Sequence, residues 1–139
     1  MTNSDLAESY MEMAKVKLGT LQGLITQKAY AVVVRESQEI VELALKAMLR
    51  EAGIEPPKFH DIAPFLVEHS DKFRDDVKKH LETLAEISSR LRGERELSFY
   101  GDIDFIPTKM YKLNDAEKAY NDADFVVEVA GKSISRDSR

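Results

Sequence analysis

Apolar residues recur at intervals of three and four along most of the chain, which is the spacing of one face of an α-helix. The first series runs from Ala7 to Ile25, and the second lies within residues 28–52. Gly53 then supplies a residue suited to ending a helix, and Pro56-Pro57 prevents the helix from continuing. The pattern therefore predicts two long helices, one after the other, at the start of the chain.

The middle of the chain predicts two more helices. A short one is expected over residues 59–67, with His60 or Asp61 as its cap. A long fourth helix is expected to begin within residues 71–76. The last helix opens on Asn114-Asp115-Ala116-Glu117, which has the form of a capping box.

These elements predict an all-α fold, an antiparallel up-and-down bundle of four long helices plus one short helix. Residues 100–108 are expected to form a loop in which Pro107 prevents a new helix. The chain is interpreted as one domain over residues 1–139, with a helical core over about 4–131 and a flexible tail over 132–139.

The fourth helix carries the most informative periodicity, because an arginine falls where the pattern requires an apolar residue. Its stripe continues through Arg95 and includes Val77, Leu81, Leu84, Ser88, Leu91 and Ser98. A buried charge needs a partner, and Glu39, Glu42 or Asp102 could supply it. Arg95 is therefore either a structural ion pair that sets the helix register or a cleft residue that binds phosphate.

Arg92 precedes Arg95 by three residues, so the two arginines share a helix face. Together with Tyr100 they could bind an anion, although the negative end of the helix dipole at this position does not assist. The candidate nucleotide- or phosphate-binding residues are Arg92, Arg95, Tyr100 and Glu42. Of these, Arg95 and Tyr100 are also the candidates for a catalytic role.

Composition narrows the classes of function. The chain has no cysteine, and His60, His69 and His80 lack the spacing of a metal site, so no metal or other cofactor is expected. Neither a membrane-spanning apolar run nor a signal peptide is found, and a cytoplasmic location is expected. The net charge of −5 argues against a broad nucleic-acid-coating surface but allows a local basic cleft. Arg90 and Glu94 are expected to be solvated.

Several segments together resemble the HEPN domain (higher eukaryotes and prokaryotes nucleotide-binding), in its stand-alone prokaryotic form. The resemblance covers roughly residues 6–130. It is carried by Ala29-Tyr30, Arg35–Leu49, the Pro-Pro-x-x-His-Asp turn within Gly53–Ile62, Arg92–Asp102 and Asp115-Ala116.

The resemblance implies a helical bundle that commonly forms a homodimer and associates with nucleotides or RNA. It also implies a minimal nucleotidyltransferase as partner, in toxin–antitoxin-like pairs. Many family members are metal-independent ribonucleases whose motif is an arginine followed, after four to six residues, by a histidine at the dimer cleft. Arg95 occupies the arginine position, but Tyr100 stands in the place of the histidine. A phenol with a pKa of about 10 transfers protons poorly near pH 7.

Three hypotheses follow. The first is a homodimeric module that binds nucleotide or RNA phosphate and works with a nucleotidyltransferase. The second is a metal-independent endoribonuclease with a degenerate Arg-x4-Tyr motif, in which Arg95 stabilises the phosphate and Tyr100 or Glu96 transfers protons. The third is a structural or regulatory interaction protein in which Arg95 forms an ion pair.

Overall fold

A computed structural model of the chain describes residues 2–58 and 61–134, without the side chains of Glu96 and Phe99. The described part contains four long helices, three short helices and one 3₁₀ turn, and it contains no β-strand. In chain order these are α1 (Asn3–Thr26), α2 (Tyr30–Glu51), α3 (Ala63–Glu68), the 3₁₀ turn (Ser70–Lys72), α4 (Asp75–Lys78), α5 (Leu81–Phe99), α6 (Pro107–Met110) and α7 (Leu113–Ile134). The predicted all-α bundle with four long helices is confirmed.

Helix α2 forms the centre of the bundle, because it packs against α1, α7 and α5 at once. Its residues are buried on most sides, and Leu45, Met48 and Leu49 have no solvent exposure. Small side chains at Ser37 and Ala44 are also fully buried, which lets neighbouring helices approach closely. A helix surrounded in this way places its apolar surface in the core, and burial of each large side chain stabilises the fold by about 1.5–3 kcal/mol.

An antiparallel hairpin joins α1 to α2. Lys28 adopts the left-handed conformation with φ 62°, and the Ala29 N–H donates to the Leu24 carbonyl, so the chain reverses within a few residues. Lys17 on α1 then donates to Glu36 at 3.0 Å and to Glu39 at 3.2 Å on α2. The hydrogen bond to Glu36 raises the pKa of Lys17 despite partial burial. Burial alone would raise the pKa of Glu36, but the hydrogen bonds and positive charges of Lys17 and Arg35 together lower it.

The first predicted boundaries in the middle of the chain are corrected by the structure. The short helix begins at Ala63 rather than at residue 59, and the Ala63 N–H donates to the Asp61 carboxylate at 3.1 Å. His60, the alternative cap, lies outside the described residues. The predicted fourth helix is divided into α4 and α5 by a turn at Lys79-His80.

The end of the chain also differs from the prediction in three places. Pro107 does not prevent a helix but occupies the first turn of α6, where its missing N–H has no intrahelical partner to lose. Helix α7 begins at Leu113, and the Asp115 carboxylate accepts from the Lys112 N–H at 2.8 Å. The helix continues past Gly131 to Ile134, so only residues 135–139 of the predicted tail lie outside the described residues.

Candidate functional site

The last turns of α5 position the three candidate residues that follow one another in sequence. Leu84, Leu91 and Ser98 on this helix are buried and attach it to the bundle. The helix then stops because Gly101 takes a left-handed φ of 69°, with its N–H donating to the Leu97 carbonyl at 3.0 Å. Arg92 and Arg95 therefore lie within the final turns of a helix whose apolar stripe is fixed in the core, and Tyr100 follows directly after its last residue.

Arg95 is exposed, so the prediction that it is buried in the core is wrong. It lies on the stripe between Leu91 and Ser98, but the long aliphatic stem of an arginine lets the guanidinium reach solvent from such a position. The three proposed partners are engaged elsewhere: Glu39 with Lys17, Glu42 with Lys46, and Asp102 with the N–H of Ile103. The register-fixing ion pair is therefore absent from the part of the chain that the structure describes.

Arg92 and Arg95 lack a carboxylate partner among the described side chains, as does Arg50, which instead donates to the Asn3 Oδ1 at 3.4 Å. Within residues 2–58 and 61–134, Arg35, Arg74 and Arg90 each form an ion pair, with Glu36 at 3.4 Å, Asp76 at 3.0 Å and Asp122 at 2.9 Å. No side chain described in this range forms an ion pair with Arg92, which is half-buried, or with Arg95. Two guanidinium groups one helical turn apart thus keep their donors for solvent or for an anion.

Tyr100 lies immediately after the helix, and its side chain is 81% exposed. An exposed phenol ring can stack on a nucleobase, and its hydroxyl can donate to a phosphate oxygen. Glu42 is not brought to this group. It lies on α2, forms an ion pair with Lys46 at 3.3 Å and accepts from Gln38 at 3.2 Å. The structure therefore places three of the four candidate residues at the end of α5 and leaves Glu42 on α2.

Two residues of the same segment that were expected to be solvated form contacts instead. Arg90 forms an ion pair with Asp122 at 2.9 Å and thereby joins α5 to α7. Glu94 accepts a hydrogen bond from the hydroxyl of Tyr111, a residue for which the sequence offers no distinguishing pattern. Tyr111 is only 7% exposed, and its burial together with the Glu94 carboxylate raises its pKa far above the usual range. Periodicity could not identify these partners, because each comes from a different element.

A cleft of about 230 Å³ lies between α5 and α7 beside these pairs. Its lining is mixed in character and consists of Val34, Arg90, Leu91, Glu94, Tyr111, Asp115, Lys118 and Ala119. Arg90 and Glu94 are both bonded to other side chains, so the described contacts assign them first to holding the helices together.

Within the described residues, no group of three histidine, aspartate or glutamate side chains is arranged to hold a metal ion. His69 and His80 are half-buried: His69 Nδ1 lies 2.9 Å from the Phe65 carbonyl oxygen, and the His80 ring packs edge-on against Phe125. The helices of the described part include none that is long and apolar enough to cross a membrane.

A family model described as HEPN domain matches residues 7–134, which is nearly the whole chain. No curated protein and no solved structure matches the chain significantly.

Proposed function

Since the chain belongs to the HEPN domain family, we propose that it binds nucleotide or RNA phosphate through Arg92, Arg95 and Tyr100. The family identifies a nucleotide- or RNA-related module in general. The observation that carries the assignment to these residues is the pair of arginines without a carboxylate partner among the described side chains. A guanidinium with its donors directed to solvent is suited to the bidentate recognition of phosphate oxygens.

The helix geometry supports a site for one phosphate or for two neighbouring ones. Residues three apart on a helix have Cβ atoms about 5–6 Å from each other, so both guanidinium groups can reach the same short segment of a nucleic-acid backbone. The ring of Tyr100, exposed at the same end of the helix, offers a surface for base stacking. Because the C-terminal end of the helix dipole repels anions, the side chains must provide the affinity.

The proposed assembly is a homodimer that works with a minimal nucleotidyltransferase in a toxin–antitoxin-like pair. The family membership supports this assembly. Such a dimer would carry two copies of the Arg92–Arg95 pair, one from each protomer. Co-expression with a minimal nucleotidyltransferase, followed by affinity purification of either protein, tests the partnership. Recovery of the chain alone at every salt concentration would remove the partner from the proposal.

Fluorescence anisotropy with a labelled short RNA, and competition by ATP or GTP, tests the binding site. Arg92→Ala and Arg95→Ala are each expected to weaken RNA binding by roughly 5- to 100-fold, because each removes a charged phosphate contact. Arg74→Ala is the matched control, since this arginine is already paired with Asp76. Equal binding by the wild type and by the Arg92/Arg95 double variant would contradict the site.

The same samples separate binding from cleavage. RNA incubated with excess protein, with and without EDTA, is expected to remain intact on a denaturing gel, because Tyr100 replaces the more effective proton-transfer group. Cleavage that persists in EDTA and is lost in Tyr100→Phe would favour the endoribonuclease instead.

A further inference from the structure

Exposed apolar side chains are concentrated in the segment between α5 and α7. Five of the eight exposed large hydrophobic residues in the described part of the chain lie within residues 100–113. Tyr100 belongs to the proposed phosphate site, and we call the other four residues the connector face: Ile103, Ile106, Met110 and Leu113. Ile106 precedes α6, Met110 is the last residue of α6 and Leu113 is the first residue of α7, so these three flank one short helix. Such clustering marks an interaction surface, whereas scattered exposed hydrophobics need no explanation.

Backbone hydrogen bonds and a ring contact brace the connector, so its exposed side chains project from a closed turn. Asp102 and Phe105 exchange two backbone hydrogen bonds, of 2.8 and 2.9 Å, which close a tight turn around Ile103 and Asp104. The Asp102 carboxylate accepts from the Ile103 N–H at 2.7 Å. The ring of Phe105 packs edge-on against buried Tyr111 and attaches the turn to the core.

Ile103, at the tip of this turn, is 88% exposed and is therefore held away from the chain's own core. A rigid apolar side chain that projects from a fixed turn loses little conformational freedom when it binds. It has the character of an anchor that fills a pocket on a partner.

A groove suited to this anchor lies at the base of the same connector. It measures about 150 Å³ and is lined by residues 28–32 together with Pro107, Thr108 and Tyr111. Its surface is mainly apolar, and Lys28 lies in its lining with an exposed side chain. No described carboxylate forms an ion pair with Lys28, and none of the described cations pairs with Asp104 beside Ile103.

The charged residues of the connector are also separated, with the acidic ones at its tip and the basic ones at its base. Asp102 and Asp104 lie at the tip, whereas Lys109 and Lys112 lie on and after α6 at the base, and all four are exposed. A surface with an acidic apolar tip and a basic apolar groove is complementary to itself when it is rotated by a two-fold axis.

We infer that a second copy of this chain covers the connector face, with Ile103 of each protomer inserted into the groove of the other and Asp104 meeting Lys28 across the interface. This inference rests on the homodimer of the proposed function and specifies its contact. It is an isologous exchange, so every contact is made twice and a single substitution affects both halves of the interface.

Sedimentation equilibrium between 1 and 100 µM, with circular dichroism to verify folding, tests the contact. Wild type is expected to dimerise, and Ile103→Lys is expected to raise the dimer dissociation constant by roughly 30-fold or more, because it removes an anchor from both grooves. Val16→Lys is the matched control. It makes the same change at an apolar residue on α1 that is 65% exposed, and it is expected to leave the dimer unchanged.

A charge exchange identifies the pairing. Asp104→Lys and Lys28→Asp are each expected to weaken the dimer, and the two together are expected to restore it. A wild type that is monomeric at 100 µM overturns both the inference and the homodimer. A dimer that persists in Ile103→Lys, or that the double exchange does not restore, overturns the inference alone. RNA binding by the Arg95 site is measured separately, so its loss or retention does not decide this result.

Discussion

Individual charged residues on α5 have different roles that depend on what lies opposite each of them. Arg90 forms an ion pair with Asp122 on α7. Glu94 accepts a hydrogen bond from the hydroxyl of Tyr111, which lies just before α7. Arg92 and Arg95 lie on the same helix but have no such partner among the described side chains. The paired side chains are occupied by contacts within the protein, whereas Arg92 and Arg95 are available to a ligand.

The hydrogen bond between Tyr111 and Glu94 can be tested by removing one hydroxyl. Tyr111→Phe is expected to lower the free energy of unfolding by about 1–2 kcal/mol, because the half-buried Glu94 carboxylate loses its donor. Urea denaturation at pH 7 measures the loss. Tyr120→Phe is the control, since Tyr120 is a half-buried tyrosine on α7 for which the structure describes no side-chain hydrogen bond.

The pKa of Tyr111 adds a dependence on pH. The Tyr111 pKa is higher in the folded protein than in the unfolded chain, so folding favours the protonated phenol. The stabilisation that follows from this shift is fully present below the unfolded pKa of about 10. As the pH rises above 10, the unfolded state ionises first and the stability falls. The stability difference between wild type and Tyr111→Phe should therefore narrow above pH 10. A difference that stays constant to pH 11 would contradict this origin of the shift.

At the scale of elements, the connector between α5 and α7 is shaped by a few residues with strict conformational requirements. Gly101 ends α5 with a positive φ, and the reciprocal hydrogen bonds of Asp102 and Phe105 close the turn that follows. Pro107 then begins α6. The order of glycine, tight turn and proline fixes both the direction of the chain and the exposed position of Ile103.

Gly101→Ala tests how tightly the connector is built. A Cβ at this position would lie 2.3 Å from the Phe105 carbonyl oxygen and 2.6 Å from Pro107 Cδ, so a steric clash adds to the strain of a positive φ. The expected loss of unfolding free energy is roughly 2–4 kcal/mol.

Gly53→Ala is the matched control, because Gly53 has a φ of 80° with no atom within 4 Å of the added Cβ. It should cost about 1 kcal/mol from backbone strain alone. Thermal denaturation of both variants separates the cost of the steric clash at Gly101 from the cost of backbone strain, which both variants share. Equal losses would mean that the connector relaxes around the extra methyl group.

At the scale of the whole molecule, an acidic chain carries a small basic site. The net charge is −5, so most of the surface repels a polyanion and any contact with RNA must be local. Arg92 and Arg95 supply such a contact at one end of α5. The proposed module should therefore bind few phosphates and should not coat long RNA.

The dependence of RNA affinity on salt measures the number of phosphates directly. Two phosphate contacts to a single strand predict a slope of about −1.4 for the logarithm of the association constant against that of the salt concentration. Arg92→Gln with Arg95→Gln should bring the slope close to zero, whereas Arg74→Gln should leave it unchanged. A steep slope that survives the double substitution would place the phosphate contacts elsewhere on the molecule.

Much of the fold could be predicted from the sequence, because helix formation depends on residues three and four positions apart. The apolar series of α2 and α7 predicted both helices within a few residues, and Gly53 was correctly identified as the end of the first of these. The Arg92–Tyr100 segment was predicted as a candidate site from its residue types, from the apolar periodicity that Arg95 interrupts and from the family resemblance. Its two arginines lie on the final turns of α5 and Tyr100 follows them, but the binding role of the segment remains a prediction.

The sequence by itself thus determined where the helices lie and which of their faces are apolar, since both follow from local spacing. Tertiary structure decided which charges are paired, because the partner of a side chain comes from another element. Arg95 occupies an apolar position of the pattern, yet its side chain is exposed. Glu94 was expected to be solvated, yet its carboxylate accepts a hydrogen bond from the Tyr111 hydroxyl. The exposure of the connector face likewise depends on how α5 ends and α7 begins. The spacing of apolar residues along the sequence does not predict it.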